Sequence, residues 1–137
     1  MRSTTKCFSR ETIKLRTAMI FVKDMARMLE FYRDGVGLAF RADESNDEWA
    51  ELDAGGGLLA LHAIPPAIAS TFSITTPPTE RSSAPIKLVF ETDDLEATRA
   101  RLSAHGAVVK ELRSWGAFDA IDPEGNVFQV AKSADSR

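Results

Sequence analysis

A β-strand that runs directly into a helix start is predicted by the stretch Thr17-Ala-Met-Ile-Phe-Val-Lys-Asp24. Apolar and β-branched residues favour a half-buried strand, and aspartate is a preferred helix N-cap because its carboxylate accepts hydrogen bonds from free backbone N–H groups. The pattern recurs in Ile86-Lys-Leu-Val-Phe-Glu-Thr-Asp-Asp94. This repeat predicts two modules of one design, each opening with a strand and a helix.

Each acidic cap is followed by apolar residues at helical spacing, so one face of each helix is expected to be buried. Gly35 and Gly37 are expected to end the first helix and Gly106 the second, because glycine tolerates the left-handed conformation there. His105 is expected to interact with the helix C-terminus rather than to catalyse. The expected buried positions are Met25, Met28, Leu29 and Tyr32 in the first helix, and Leu95, Thr98 and Leu102 in the second.

Three short strands are predicted after each helix, separated by turn residues. The strongest turn is Asp122-Pro-Glu-Gly-Asn126, because proline presets φ and glycine accepts a positive φ. The predicted strands cover residues 38–42, 49–53 and 58–63 in module one, and residues 108–112, 117–121 and 127–131 in module two.

The two modules are expected to form a single domain over residues 15–132, with module one at 15–63 and module two at 86–132. Residues 64–85 are rich in Pro, Ser and Thr and lack any period, which predicts a linker or mobile loop. Residues 1–14 and 133–137 are expected to be flexible tails.

Charge and hydropathy exclude several classes of partner. The net charge of −3 is spread without a basic stripe, so we expect no nucleic-acid partner. Apolar runs fall far below the ~20 residues of a membrane helix, and residues 1–14 lack an apolar secretory core, so we expect a cytoplasmic protein without membrane contact. The single cysteine, Cys7, cannot form an intramolecular disulfide and is expected to be incidental.

Three longer strings carry a family likeness. They are Phe21-Val-Lys-Asp-Met-Ala-Arg-Met-Leu-Glu-Phe-Tyr-Arg-Asp-Gly-Val-Gly-Leu38, Glu51-Leu-Asp-Ala-Gly-Gly-Gly-Leu-Leu-Ala-Leu-His62 and Asp122-Pro-Glu-Gly-Asn-Val-Phe-Gln-Val130. Together they resemble the vicinal-oxygen-chelate superfamily of glyoxalase I, bleomycin-resistance proteins and extradiol dioxygenases. The resemblance implies an α+β fold of two tandem βαβββ modules, whose sheets curl into half-barrels with helices outside. It also implies a homodimer, with modules paired across chains.

In that fold the concave faces surround a ligand cavity, and alternation along each strand assigns residues to a side. The residues expected beneath the helices are Ala18, Ile20, Val22, Leu88, Phe90 and Thr92. The residues expected to face the cavity are Thr17, Met19, Phe21, Lys87, Val89 and Glu91.

Metal-dependent members of the superfamily place ligands, commonly His, Gln and Glu, on the first and last strands of each module. The resemblance carries these positions onto Thr17, Ala60, Lys87 and Gln129. None is a good ligand, and the lysine ammonium repels a divalent cation. We therefore expect no metal and no other cofactor. His62, on the same face as Ala60, keeps a metal alternative open, although a strand residue near the cavity rim is the favoured interpretation.

The expected lining predicts a small-molecule site, because aromatic walls with a few convergent polar groups are typical of one. The leading hypothesis is a metal-free protein that captures an antibiotic or metabolite without turnover, similar to the bleomycin-resistance branch. The alternatives are a metal-dependent lyase, isomerase or dioxygenase, a metal-free isomerase or epimerase with Glu51, His62 or Glu91 as general base, and a scaffold with a filled cavity. The predicted ligand-binding residues are Thr17, Met19, Phe21, Trp49, His62, Lys87, Trp115 and Gln129.

Some of these residues also fit structural roles. Trp49 and Trp115 fit a core or a dimer interface equally well, and Lys87 fits an ion pair with Glu91 or Glu51 inside the sheet.

Overall fold

The strands and helices follow the predicted repeat in a computed structural model that describes residues 13–81 and 86–133. Most of the predicted tails, including Cys7, and the end of the linker at 82–85 lie outside the described residues. Module one contains β1 (Thr17–Val22), α1 (Met25–Glu30), β2 (Ala39–Phe40), β3 (Trp49–Asp53) and β4 (Leu58–Ala63). The linker carries α2 (Pro66–Ala69). Module two contains β5 (Leu88–Thr92), α3 (Leu95–Ala104), β6 (Val108–Val109), β7 (Ala117–Ile121) and β8 (Val127–Lys132).

Each module forms a four-stranded mixed sheet, ordered β1-β4-β3-β2 in module one and β5-β8-β7-β6 in module two. The first strand of each module runs parallel to its last strand, and the other neighbours are antiparallel. The predicted α+β fold of two βαβββ modules is therefore confirmed. In this order β1 and β5 each lie at the edge of their sheet.

Both helices begin where the sequence predicts, at an aspartate. The Asp24 carboxylate accepts from the backbone N–H of Arg27 at 3.1 Å, and that of Asp94 accepts from Ala97 at 3.0 Å. Such caps satisfy N–H groups that lack a partner within the helix. Gly37 and Gly106, with φ of 95° and 103°, end the two helical segments as predicted, whereas Gly35 lies inside the first of them.

The first helix differs from the single regular helix that the sequence predicts. After α1 the chain widens into a π-helical segment, Phe31–Val36, whose C-cap N–H and the N–H of Leu38 both reach the Tyr32 carbonyl. The wide turn buries Phe31 and Tyr32 in the core. A segment of this length is too short to alter the apolar period, so the sequence pattern does not show it.

Two strands and the linker also differ from the prediction. β2 ends early because the chain enters a 3₁₀ turn at Ala42–Glu44, which Ser45 holds by donating its hydroxyl to the Arg41 carbonyl. β6 is likewise only Val108–Val109, although the N–H of Lys110 still reaches the Asp119 carbonyl. The linker holds the unpredicted helical turn α2, which has a proline at its start.

Alternation along the strands sorts the side chains onto two faces as expected. Val22 is fully buried beneath the helices, whereas Met19, Phe21 and Val89 are 45%, 55% and 59% exposed on the opposite, concave faces. The helix-facing sides of both sheets share one core, in which the rings of Phe31 and Phe128 lie 6.1 Å apart. The two modules thus join through their helices and leave the concave faces open.

The turn between β7 and β8 joins module two to module one through a buried carboxylate. Asp122 is 0% exposed, and the Tyr32 hydroxyl donates to its Oδ2 at 2.6 Å. The Oδ1 atom accepts from the backbone N–H groups of Glu124 and Asn126. These hydrogen bonds from the protein replace the contacts with water that the Asp122 carboxylate loses on burial.

Glu124 makes a second buried connection from the same turn. Its carboxylate accepts from the backbone N–H groups of Lys23 and Asp24 at 2.7–3.0 Å, just before α1 begins. A carboxylate near a helix N-terminus also suits the helix dipole. We refer to Lys23, Asp24, Tyr32, Asp122 and Glu124 as the inter-module latch.

The linker is attached to the latch at two points. Near its start, the Lys23 ammonium donates to the carbonyls of Ala69, at 2.6 Å, and Phe72. Near its end, the Arg81 guanidinium donates to the Glu124 carbonyl at 3.2 Å. The described part of the linker therefore lies against the body of the protein rather than free of it.

Gly125 allows the linker to approach this closely. Its φ is 94°, and a Cβ at this position would lie 2.5 Å from the Thr79 carbonyl oxygen. The linker backbone thus occupies the space that a side chain would need.

In the described part of the chain, every helix is too short or too polar to cross a lipid bilayer.

Tyr32 gives the latch a pH dependence. Burial raises the pKa of Tyr32 well above its ordinary value of 10.0, and the charge of Asp122, their hydrogen bond and the charge of Glu124 raise it further. An unfolded chain ionises this phenol near its ordinary pKa, but the folded chain does not. Its contribution to stability is therefore complete below pH 10 and is lost as the pH rises above it.

We expect the tyrosinate absorbance to appear only as the protein unfolds at alkaline pH, in one step with the loss of circular dichroism. Tyr32 is the only tyrosine, so the signal has one source. Tyr32→Phe should lower the free energy of unfolding in urea by about 1–3 kcal/mol, since it removes a donor from a buried carboxylate. Thr71→Val, which removes an exposed hydroxyl, should change it by less than about 0.5 kcal/mol. Ionisation of the folded protein near pH 10 would contradict this account.

Candidate functional site

Three aromatic side chains meet on the concave face of module one. Phe21, His62 and Trp49 are neighbours in register across β1, β4 and β3. The His62 ring lies 5.5 Å from that of Phe21 and 5.8 Å from that of Trp49, both edge to face. We refer to these residues as the aromatic cluster.

The hydrogen bond of His62 fixes which ring nitrogen is basic. Its Nδ1 lies 3.0 Å from the Ala63 carbonyl oxygen, which only accepts, so Nδ1 must carry the proton. In the neutral ring Nε2 then keeps its lone pair and accepts a hydrogen bond. The cluster therefore offers aromatic surface together with one acceptor nitrogen.

Glu51 lies next to the aromatic cluster on β3. Its carboxylate forms an ion pair with Arg41 at 3.1 Å and accepts from the Trp49 indole N–H at 3.2 Å. The indole is thereby held in one orientation. The carboxylate is already neutralised by a cation, which weakens the case for Glu51 as a general base.

The concave face of module two carries a charged cluster centred on Asp119. The Asp119 carboxylate accepts from Lys87 at 3.1 Å, Arg113 at 3.2 Å and Gln129 at 3.3 Å. Partial burial acts to raise the pKa of Asp119, but the hydrogen bonds from Lys87 and Gln129 and the two positive charges outweigh it and lower the pKa. We refer to these four residues as the Asp119 cluster.

Sequence reasoning missed Asp119 and misplaced the partner of Lys87. The alternatives that paired Lys87 with Glu91 or Glu51 are wrong, because its ammonium binds Asp119 across the sheet. Alternation along β7 was a usable signal: Phe118 and Ala120 are apolar, so Asp119 between them must face the other way, beside Gln129.

Glu51 and Asp119 occupy equivalent places in the two modules. Glu51 pairs in register with Ala60 at the centre of its sheet, and Asp119 pairs with Gln129 at the centre of the other. Each carboxylate also binds an arginine. Each concave face thus has an ion-paired carboxylate at its centre. The neighbours of this carboxylate are aromatic in module one and cationic in module two.

The remaining predicted residues lie elsewhere. Thr17 and Met19 pair with Leu58 and Ala60 along the edge of the concave face of module one. Trp115, 64% exposed, and Glu91 join neither cluster. They line a cavity of about 840 Å³, the junction cavity, between the end of the helical segment of module one and the β5 edge of module two.

The two clusters do not touch each other. Among residues 13–81 and 86–133, their hydrogen bonds, ion pairs and ring contacts all stay within one module.

His105 lies at the C-terminus of α3, as predicted, and its Nδ1 is 2.5 Å from the Glu30 carboxylate of module one.

The metal that many members of the superfamily carry does not fit these residues. Of the positions that correspond to metal ligands in those members, Ala60 offers no donor atom and Lys87 carries a positive charge. The Lys87 ammonium pairs with Asp119, whose carboxylate also accepts a hydrogen bond from Gln129. Within the described ranges, no three His, Cys, Asp or Glu side chains come close enough to share an ion. A divalent cation brought to Asp119 would be repelled by Lys87 and Arg113, which lie 3.1 and 3.2 Å from its carboxylate.

Solved structures share this fold at low sequence identity. A glyoxalase/bleomycin resistance protein/dioxygenase family enzyme from Burkholderia phytofirmans PsJN is 21% identical with a TM-score of 0.65, and the alignment covers 85% of this chain and 95% of that one. TnmS3, an antibiotic binding protein from Streptomyces sp. CB03234, is 22% identical with a TM-score of 0.57 and coverage of 90% and 98%. The fosfomycin resistance protein FosX from Mesorhizobium loti is 12% identical with a TM-score of 0.63 and coverage of 88% and 92%.

These likenesses concern the fold alone, and no curated protein matches the sequence. The family model of the Glyoxalase/Bleomycin resistance protein/Dioxygenase superfamily matches residues 14–130, which is most of the chain. The protein therefore belongs to the glyoxalase/bleomycin resistance/dioxygenase superfamily.

Proposed function

We propose that this protein binds a small molecule, an antibiotic or a metabolite, on the concave faces of its sheets, without a metal and without turnover. The observation that carries the proposal is the combination of exposed apolar side chains with polar groups that are already held in place. Such preorganisation lowers the entropy cost of binding. A cytoplasmic location, expected from the sequence, belongs to the same proposal.

The aromatic cluster supplies the apolar part of the site. Phe21 is 55% exposed, and the Trp49 indole is fixed by Glu51, so a flat ligand meets rings that need little reordering. Aromatic contacts of this kind add about 0.5–1.5 kcal/mol beyond the apolar area that they bury. This favours a ligand with a planar or aromatic portion.

The Asp119 cluster supplies charge. Lys87 and Arg113 share one carboxylate, so the group keeps an excess of one positive charge, and their side chains are 43% and 50% exposed. An exposed, uncompensated cation attracts an anionic or strongly electron-rich group. Because the two modules join through their helices, one ligand can contact both clusters only where module one of one copy faces module two of a second copy. Such a site would suit a ligand that is aromatic at one end and polar at the other.

Relatives in structure support a binding role. TnmS3 is an antibiotic binding protein and FosX is a fosfomycin resistance protein, and both share the fold. Binding without a reaction agrees with the ion pair of Glu51, which makes it a poor general base. It also agrees with the presence of Ala60 and Lys87 at positions where metal-dependent members carry ligands.

A metal-free base-catalysed isomerase is the second candidate. Nδ1 of His62 donates to a carbonyl, so Nε2 is a proton acceptor that faces the concave side of β4. The two candidates differ in what happens to the ligand, which stays unchanged in the first and reacts in the second.

We expect a saturable change in tryptophan fluorescence when the protein is titrated with a panel of bleomycin-like and mitomycin-like compounds. Phe21→Ala and His62→Ala should each weaken binding up to about tenfold, because each removes an aromatic contact. Lys87→Gln should weaken the binding of anionic ligands by up to about fivefold. Arg33→Gln, which removes a half-exposed positive charge on the helical side of module one, serves as the control and should have no effect. No change in tryptophan fluorescence with any compound of the panel would count against the proposal.

Metal content and ligand recovery test the absence of catalysis. After incubation with Ni, Zn, Mn or Fe and desalting, elemental analysis should find far less than one ion per chain. A bound ligand recovered after prolonged incubation in D₂O should have an unchanged mass. One tightly held ion per chain would overturn the metal-free proposal, and deuterium uptake that is lost in His62→Gln would favour the isomerase.

We also propose a homodimer, in which a second copy covers the open concave faces. Met19, Phe21 and Val89 are exposed apolar side chains on these faces, and burying them against a second copy would stabilise a dimer. Light scattering at micromolar concentration should give twice the mass of one chain. Met19→Glu should weaken the dimer, whereas Ile68→Glu, at an exposed apolar position on α2, should not. A monomeric mass at this concentration would refute the dimer.

A further inference from the structure

The junction cavity lies apart from both concave clusters. It opens along the free edge of β5, between α3 and the sheet of module two, and module one closes it with Val36, Gly37, Leu38 and Ala54. None of the residues in the aromatic cluster or the Asp119 cluster lines it. Its volume of about 840 Å³ falls within the range of small-molecule pockets.

The walls of the junction cavity are apolar on the side that faces the helices. Val36, Leu38 and Phe90 are partly buried at its surface, with Leu102 and Phe128 closing it from behind. The rings of Phe90 and Phe128 lie 5.7 Å apart, edge to face. An aliphatic chain or a single ring would bury its surface against these side chains.

Two cationic side chains, Arg101 and Lys132, also line the junction cavity. The Arg101 guanidinium donates through Nε to the Gly35 carbonyl at 2.8 Å and through Nη2 to the Val36 carbonyl at 3.4 Å, which fixes it at the cavity wall. Lys132 lines the same wall at the end of β8. Within the described residues neither side chain forms an ion pair with a carboxylate.

Strand alternation separates these cations from the one carboxylate in the lining. Phe90 and Thr92 point toward the helices, so Glu91 between them points to the concave side of the sheet. The Thr92 and Thr98 hydroxyls hydrogen-bond each other at 2.8 Å and need no ligand. The helix-facing part of the cavity therefore combines apolar walls with two positive charges that pair with no carboxylate of residues 13–81 and 86–133.

We propose that the junction cavity binds a small amphipathic anion, a monocarboxylic acid with an aliphatic or aromatic body. The carboxylate lies between Arg101 and Lys132, and the apolar body lies against Phe90 and Leu38. Carboxylate bonds to arginine are charge-assisted, and the fixed guanidinium loses little freedom on binding. The cavity shares Val89 and Glu91 on β5 with the concave face of module two, but none of the side chains of the two clusters lines it.

Calorimetry with decanoate and decanol, which differ only in the head group, tests the proposal. Both are used below the concentrations at which they aggregate. Decanoate should bind at least about tenfold more tightly than decanol, since only decanoate meets the two cations. Lys132→Gln should weaken decanoate binding about fivefold and Lys132→Glu more, whereas Lys110→Gln should leave it unchanged. Equal binding of the two probes, or equal binding to all the variants, would overturn the proposal.

Trp115 reports where the probe binds. In Trp49→Phe it is the only tryptophan, and it lines the junction cavity. Decanoate should change its emission with the same midpoint as the calorimetric titration. Heat of binding without any change in emission would place decanoate at another site and overturn the proposal, and circular dichroism confirms that each variant is folded.

Discussion

The burial of two carboxylates in one turn holds the two modules in a fixed relation. Asp122 and Glu124 have left water, and module one supplies three of the donors that compensate them, the Tyr32 hydroxyl and the backbone N–H groups of Lys23 and Asp24. The turn itself supplies the others, through Glu124 and Asn126. A buried carboxylate that loses its donors costs several kcal/mol, so a geometry that separates them is disfavoured. The orientation of both concave faces and the shape of the junction cavity follow from this connection.

Within that frame the repeat supplies two similar surfaces that have diverged in chemistry. Both sheets keep an arginine-bound carboxylate at the centre, Glu51 in one and Asp119 in the other. The neighbours differ, because β1, β3 and β4 bring aromatic rings close to Glu51, whereas Lys87, just before β5, and Gln129 on β8 bring an ammonium and an amide to Asp119. A duplicated architecture thereby presents one stacking surface and one polar surface.

Local patterns in the sequence predict most of the fold and little of the site. Apolar alternation and the caps Asp24 and Asp94 give the modules, the helix starts and the bounds of several strands, because these depend on neighbouring residues. The contacts of Glu124 join residues about 100 positions apart, and no local pattern indicates them. The place of Asp119 required the register of β7 against β8, and the junction cavity required the relative position of the modules.

The close approach at Gly125 changes what kind of segment the linker is. A surface connection rich in Pro, Ser and Thr is ordinarily the place where a domain tolerates an inserted peptide, a tag or a proteolytic cut. Here the Thr79 backbone fills the space beside Gly125, and the Arg81 guanidinium donates a hydrogen bond to the Glu124 carbonyl, 43 residues away. Opening the chain at this point would disturb the packing of the turn on which both modules rely, so the safer places to graft new sequence are the hairpins far from it.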